Sequence, residues 1–371
     1  MSEALALYVH WPFCVSKCPY CDFNSHVRES VDQDRWRDAL LAELAHEARV
    51  APNRPLTSIF FGGGTPSLMP PATVAALLAS AERHWGFAPD IEITLEANPS
   101  SVEAARFADL AAAGVNRISL GLQTLDDKAL HFLGRAHDVA EGLAALDTAQ
   151  GAFDRVSFDL IYALPGQSAE AWQAMLERAI GFGTGHLSLY QLTIEPGTRF
   201  AAMAARGELV PADPDFAADL FELTRAVTAA AGLPAYEISN HARLGEESRH
   251  NLIYWRYGDY IGIGPGAHGR RNGVATARIR KPENWLAQLN RTGNGIELEE
   301  TLPPEVRARE ALVMGLRLEE GLPLDRVDTA IDRAVVARLS GLGLIEQSGG
   351  RLRVTAPGML LLDAILTEIA I

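Results

Sequence analysis

Cys14, Cys18 and Cys21 are the only cysteines in a chain of 371 residues, and they fall within eight consecutive positions. An odd number of thiols does not pair off into disulfides, and a chain this long with so few cysteines is no disulfide-stapled scaffold. A structural zinc ion asks for four protein ligands. Three thiolates can instead hold a 4Fe–4S cubane whose fourth iron stays open to an exchangeable small molecule. That is the chemistry the C-x3-C-x2-C spacing favours. A Cys3His zinc site completed by His10 or His26 is the alternative. Three metal-free buried thiols suit the loop less well, because Lys17 among them favours exposed thiolates.

The cysteine loop follows the first strand-like run, Leu5–His10, and the runs after it set its position. Ser58–Phe61, Ile91–Glu96, Arg117–Gly121, Val156–Ile161 and His186–Thr193 read as further strands. Amphipathic stretches lie between them: Trp36, Leu40, Leu41 and Leu44 share a face within Asp32–Val50, and Val74, Leu77 and Leu78 begin a similar stripe. Asn98-Pro99-Ser100 supplies a helix start and Gly114 a stop. Six βα units in succession predict an α/β fold, a partial (β/α)6 TIM-like barrel with its function at the C-terminal ends of the strands. The cysteine loop occupies such an end. After Gly232 the alternation stops, and 234–281 reads as an irregular segment rich in glycine, histidine and aromatic residues. From about Leu302, helices followed by Leu342–Glu346, Gly349-Gly350 and Leu352–Thr355 suggest a small winged-helix-like α+β domain. The expected division is a core barrel over 1–233, a segment over 234–300 that completes the ligand site, and a C-terminal domain over 301–371.

Charge narrows the partners. Lys+Arg 33 against Asp+Glu 47 leaves a net charge of −14, which opposes nonspecific binding to nucleic acid or anionic lipid. The winged-helix-like part carries 10 acidic and 8 basic residues, so it reads as a packing domain and no nucleic-acid partner is expected. Met1–Ala6 shows no basic or apolar leader pattern, and no apolar run approaches the length of a membrane span. The expectation is a cytoplasmic protein whose contact with a membrane, if it makes any, is peripheral.

Other residues sit where strand ends could present them. Gly62-Gly63-Gly64-Thr65-Pro66 closes the second strand, exposes backbone polar groups and lacks the Gly-Lys-Ser/Thr ending of a phosphate loop. Glu96 ends strand three, Gln123 follows strand four, Asp159 lies in Phe158-Asp159-Leu160-Ile161 of strand five, and Arg135 stands in Leu133-Gly134-Arg135. A carboxylate, an amide and a guanidinium at such a rim can grip ribose hydroxyls and a carboxylate. Gly264-Pro265-Gly266-Ala267-His268-Gly269 spells a G-x-G-x-x-G string but opens no helix in a βαβ unit, so it is rejected as a dinucleotide site. His250-Asn251-Leu252-Ile253-Tyr254-Trp255 places a histidine, a common heme-iron ligand, beside flat aromatic surface.

Tyr8-x-His10-x-Pro12-Phe13-Cys14-x3-Cys18-x-Tyr20-Cys21 together with Gly62-Gly63-Gly64-Thr65-Pro66 resembles the radical S-adenosylmethionine (SAM) superfamily, over essentially the whole chain. Within it the chain is similar to the oxygen-independent coproporphyrinogen III oxidase-like family, and H-N-x-x-Y-W resembles the signature of its HemW-type heme-chaperone subgroup. The resemblance implies that Cys14, Cys18 and Cys21 ligate a 4Fe–4S cluster whose open iron chelates the amino and carboxylate groups of SAM. One electron then cleaves a carbon–sulfur bond to give a 5′-deoxyadenosyl radical. It also implies that Tyr8 and Tyr20 flank SAM, that Gly63, Gly64 and Thr65 meet its amino group or ribose, and that Glu96, Gln123, Arg135 and Asp159 complete the site. His250, Asn251, Tyr254 and Trp255 are the implied contacts for heme as cargo.

Two departures separate the chain from decarboxylases of that family. Tyr8 stands almost at the start, where they carry a long extension, and Phe23 occupies the place of their further cysteine. The expectation is a heme carrier with heme-accepting proteins and an electron donor as partners, without coproporphyrinogen dehydrogenase activity. That dehydrogenase is the alternative, and a radical SAM enzyme on another substrate a more distant one. Gly64→Val is expected to block SAM while leaving the cluster largely assembled.

Overall fold

The computed structural model describes residues 4–371; Met1–Glu3, on which part of the reading of the N-terminus falls, lie outside the described residues. Six parallel strands carry the core: β1 Leu5–Trp11, β2 Leu56–Gly63, β3 Phe87–Ala97, β4 Arg117–Gln123, β5 Arg155–Tyr162 and β6 His186–Gln191. The helices between them include α1 Gln33–Val50, α2 Pro71–Trp85, α3 Val139–Ala152, α4 Ala169–Ile180 and α5 Pro214–Ala230. Their starts follow from local chemistry. Asp32 accepts from the Arg35 N–H, Pro71 opens α2 without a donor to lose, and Asp138 with Glu141 forms a reciprocal capping box. β1 reads Leu-Ala-Leu-Tyr-Val-His-Trp and is buried on both faces except at Tyr8, as a parallel strand between neighbours must be.

The segment that read as irregular is regular. β7 Asn240–Ala242 pairs antiparallel with β6, and α6 Arg249–Trp255 is a two-turn helix. β8 Asp259–Ile263 then pairs parallel with β1, from Leu5 against Asp259 to Val9 against Ile263. β9 His268–Arg271, β10 Val274–Arg278 and β11 Ile296–Thr301 continue outward as an antiparallel meander, and α7 Pro282–Thr292 packs beside α1. The result is one sheet of eleven strands, ordered β11-β10-β9-β8-β1-β2-β3-β4-β5-β6-β7. Its parallel part curves as an open barrel, and strands β7 and β11 are its edges.

The C-terminal unit has its own core. α8 Pro304–Gly315 leads to β12 Leu322–Pro323, α9 Arg333–Gly341 then leads to β13 Ile345–Ser348 and β14 Arg351–Val354, the three strands form one sheet, and α10 Leu362–Ile369 closes it. Leu312, Leu316, Val336, Leu339, Ile345 and Ile365 form a cluster separate from the barrel core. Among the described residues no helix is long and apolar enough to cross a membrane.

Aromatic packing fixes where the cysteine loop begins. Phe13, the residue before Cys14, meets Trp11 and Trp36 edge to face with centroids 5.1 and 4.9 Å apart, and Trp36 stacks on Trp285 of α7 at 5.4 Å. Such pairs are worth about 0.5–1.5 kcal/mol each beyond the area they bury.

Candidate functional site

β1 ends at Trp11, and the chain re-enters a short ladder in which Phe13–Cys14 runs parallel to His26–Val27. The cysteine loop is the excursion between those two pieces, and the backbone closes it through His26 N–H to Pro12 O at 2.7 Å and Cys21 N–H to Cys18 O at 3.2 Å. From the barrel side, Gly64 N–H donates to Trp11 O at 2.7 Å and Thr65 N–H to Phe13 O at 2.8 Å. On the far side Phe200 N–H donates to Pro19 O at 2.9 Å, and Tyr20 leans on the Phe200 ring within a satellite apolar cluster. All three cysteines are free, partly exposed thiols on this clamped loop.

One hydrogen-bond chain joins two of the thiols across the strand ends. The Thr65 hydroxyl donates to Cys14 Sγ at 3.5 Å and accepts from the Asn98 amide at 3.2 Å. The Arg135 guanidinium donates to Asn98 Oδ1 at 2.7 Å, to Gly121 O at 2.8 Å and to Cys18 Sγ at 3.5 Å. Burial raises the Cys14 thiol, and the Thr65 hydroxyl partly offsets it. Arg135 Nε is buried with no partner among the described residues, an orphaned donor of the kind a bound acceptor relieves. Gln123 has a left-handed backbone, φ 68°, and its amide lies against Gly121, where a side chain would meet it at 2.8 Å. Three thiols of one loop, backed by a hydroxyl and a guanidinium, are a donor set that fits an iron–sulfur cluster. The orphaned Arg135 donor and Gln123 beside it suit a polar ligand next to that cluster.

Gly64 has a different reason to be glycine from the one expected. A Cβ there would stand 2.6 Å from Phe13 O and 2.9 Å from Phe13 N, backbone of the cysteine loop itself. Gly64→Val therefore displaces the loop as well as any ligand, and cluster assembly should fall with it. The check is iron content after reconstitution, and a Gly64→Val protein with parental iron would restore the original expectation.

Beneath the loop, inside the barrel, lies a cavity of about 190 Å³ walled by Tyr8, Glu96, Arg117, Asp159, His250 and Tyr254, among others. Glu96 Oε2 accepts from Gly63 N–H at 3.2 Å, linking this cavity to the glycine motif. Burial, with the Asp159 carboxylate second, pushes the Glu96 carboxyl up to about 8, and burial pushes Asp159 up to about 6. A carboxyl whose folded pKa is raised stabilises the fold at low pH and loses that contribution as pH rises through the folded value. The contribution of this carboxyl pair to the stability of the cofactor-free protein should thus decline between about pH 5 and pH 8, against the rise up to about pH 6.5 that neutral buried histidines such as His10 and His250 bring. Glu96→Gln removes the Glu96 part of that slope, so its melting temperature should match the parent near pH 5 and exceed it by several degrees at pH 8. Parallel pH–melting curves for the two proteins would overturn this.

His250 is not free to act. Its Nδ1 shares a hydrogen bond with Ser58 Oγ at 3.0 Å and its Nε2 one with Tyr254 Oη at 2.7 Å, while Phe60 stacks on it at 5.0 Å. Burial lowers its pKa to about 3, so the ring is neutral. Glu92, ion-paired with Arg155 at 2.7 Å, accepts from the Arg249 and His250 N–H groups and so seats the start of α6. His250, Asn251 and Tyr254 line the cavity; Trp255 does not. It lies one helical step from Tyr254, about 100° around the axis, and faces the C-terminal unit beneath the Arg317 guanidinium at 4.6 Å. The structure thus brings His250, Asn251 and Tyr254 together at the lumen and sets Trp255 apart from them.

Three residues take roles other than those the sequence suggests. Asn98, read as part of a helix start, is the middle of the Cys14–Cys18 chain. His10 shares hydrogen bonds with Tyr8 Oη at 2.9 Å and Asn24 O at 3.0 Å; burial lowers its pKa to about 4, so it is a neutral strut. Asn24 donates to Pro265 O and Arg280 O, both at 2.9 Å, so the rejected glycine string buttresses the cysteine loop. Gly264 must be glycine: its φ is 94°, and a Cβ would stand 2.3 Å from His10 O.

Comparisons with known proteins agree with this geometry. The family model for the radical SAM superfamily matches residues 8–179, and that for the HemN C-terminal domain matches residues 302–361. The chain is 40% identical to the mouse protein named radical S-adenosyl methionine domain-containing protein 1, mitochondrial, over 98% of this chain and 87% of that one. It is 38% identical to the heme chaperone HemW of Escherichia coli, over 98% and 97% of the two chains. The solved coproporphyrinogen III oxidase HemN of Escherichia coli, a radical SAM enzyme, superposes with a TM-score of 0.83 at 24% identity, over 98% of this chain and 89% of that one, a likeness of fold.

Proposed function

The chain belongs to the radical SAM superfamily, to the HemN-like family and its HemW-type subgroup, and from that membership we propose that it is a heme chaperone. In this reading it holds a 4Fe–4S cluster on Cys14, Cys18 and Cys21 with exchangeable SAM, binds heme, and passes it to acceptor proteins. The observation that carries the reading is identity of 37–38% to heme chaperones of Escherichia coli and Mycobacterium tuberculosis along 98% of the chain. Residues 1–233 form the cofactor core, 234–300 complete it, and 301–371 are a separate C-terminal domain. The cytoplasm is the compartment that suits three reduced cysteines.

When bound, the cluster and SAM supply one-electron chemistry, for which an electron-donor protein is the partner. The chain's own residues do the rest. Thr65 and Arg135 stabilise thiolate charge on Cys14 and Cys18 through the hydrogen bonds they donate. Gly63, Gly64, Thr65, Gln123 and Arg135 present donors and acceptors along the rim beside Tyr20, and Glu96 holds a proton at neutral pH below them. The cavity of about 190 Å³ under the loop is smaller than the ~300–1,000 Å³ of pockets for drug-sized ligands, too small as it stands to enclose a whole tetrapyrrole. That supports carriage over decarboxylation inside the lumen.

The deciding experiment uses the anaerobically reconstituted full chain. Heme titrated by absorbance should bind stoichiometrically and move to a heme-free acceptor, and coproporphyrinogen III with SAM and a reductant should remain unconsumed. Decarboxylated product formed at many turnovers would sink the carrier reading in favour of the dehydrogenase.

A further inference from the structure

A second cavity, of about 370 Å³, opens between α6 and the C-terminal unit. Its composition is unlike that of the barrel lumen. Trp255 and Tyr257 offer aromatic surface, each ring already holding a guanidinium against it (Arg317 at 4.6 Å and Arg270 at 3.5 Å), and Leu322 offers an aliphatic wall, while three further guanidiniums, those of Arg256, Arg326 and Arg351, stand around them. Among the lining residues there is one carboxylate, Glu320, which Arg256 approaches at 2.8 Å and Arg351 at 3.2 Å. Arg326 donates to Arg256 O at 2.8 Å and has no carboxylate partner among the described residues. The cleft thus holds two positive charges beyond its own neutralisation, in a chain whose net charge is −14. Trp255 Nε1 is buried there without an acceptor, a further unspent donor.

We infer that this cleft is the cargo site, gripping heme by its two propionates against Arg326 and its neighbours with the macrocycle edge on Trp255 and Tyr257. The inference rests on the carrier reading and adds the place and the handle. A planar apolar body with two carboxylates at one edge is what flat aromatic surface and two surplus guanidiniums recognise together. The volume lies within the range of small-molecule pockets and suits one edge of a tetrapyrrole rather than the whole ring. Among the described residues no histidine, cysteine or methionine lines the cleft, and the Tyr257 hydroxyl is already bonded to Glu310, so the grip acts on carboxylates and ring and leaves the iron open to an acceptor's ligand.

The test compares three probes on the reconstituted full chain by fluorescence and absorbance titration: heme, metal-free protoporphyrin IX and protoporphyrin IX dimethyl ester. Heme and protoporphyrin IX should bind comparably, and the ester, which lacks the two charges, should bind at least about tenfold more weakly. Arg326→Glu and Trp255→Ala should each weaken heme by about tenfold or more, with cluster uptake and unfolding midpoint reporting that the chain is intact. An ester that binds as tightly as the acid overturns the site even if a variant fails to fold. So does a heme affinity unmoved by both variants but lost in His250→Ala, which would put the cargo in the barrel while sparing the carrier reading. A parent protein that binds neither porphyrin overturns the carrier reading and this site with it.

Discussion

Changing any one of Cys14, Cys18 or Cys21 to serine should leave the reconstituted protein without iron–sulfur absorption, where the parent takes up one 4Fe–4S cluster per chain. A serine hydroxyl is not deprotonated near neutral pH and is a poor ligand for the soft irons that thiolates hold. The loop offers no substitute donor of that kind, since these are the only three cysteines of the sequence. Loss of Cys14 or Cys18 also strands the donors that Thr65 and Arg135 direct at sulfur. Iron and sulfide analysis with visible absorption decides the matter. Stoichiometric zinc in the parent with no iron–sulfur band would overturn the cluster and revive the Cys3His alternative.

The six parallel strands were legible because each is a local pattern. Ser58–Phe61 was visible as an apolar run and is the middle of Leu56–Gly63; the ends extend because the glycines that look like punctuation still pair with β1, Gly62 against His10 and Gly63 against Trp11. The seventh parallel strand was not legible. Asp259–Ile263 is five residues flanked by glycine, and its partner is β1, about 250 positions earlier in the chain. No window of neighbouring residues contains that information. Without it the glycine string at 264–269 looked like a failed motif instead of the buttress for Asn24.

The polar lumen was half legible. Arg117, Ser119, Gly121 and Gln123 alternate along β4, as Ser157 and Asp159 do on β5 and His186, Ser188 and Tyr190 on β6. Polar residues at every second position of otherwise apolar strands signal an inner face that must find partners inside. It does: Arg117 donates to Ser157 Oγ at 3.1 Å, Ser157 to Ser119 Oγ at 3.0 Å, and Ser119 to Asp159 at 3.4 Å. The direction of Trp255 was legible only after α6 was known to be a helix, since periodicity over six residues does not separate Tyr254 from its neighbour.

The largest loss of stability expected from a single substitution away from the cysteines is at Glu43, which the sequence hides. It sits on the buried face of α1, beside Leu40 and Leu44, where a carboxylate looks misplaced. Four donors converge on it: Gly264 N–H and Gly295 N–H, both at 2.7 Å, Arg278 Nε at 3.1 Å and Trp285 Nε1 at 3.1 Å. Arg278 is itself fully buried and turns its Nη2 to Glu47 at 2.7 Å, which Arg271 also meets at 2.6 Å. Burying two carboxylates and two guanidiniums costs heavily in desolvation, and their mutual pairing offsets it, with only Arg278 Nη1 of this network left without a partner among the described residues. Glu43→Ala removes the shared acceptor and leaves Arg278 and two backbone N–H groups facing an apolar gap. Breaking a buried pair in this way costs about 3–5 kcal/mol. The damage should also reach the cofactor, because Gly264 holds the backbone that packs on His10 and steadies the cysteine loop through Asn24. Glu43→Ala should therefore lower both the denaturant midpoint of the cofactor-free chain and the iron it takes up. Glu43→Gln, which keeps an acceptor of the same shape, should recover part of each. A Glu43→Ala protein that unfolds within about 1 kcal/mol of the parent and reconstitutes fully would show that this buried network does not hold the site.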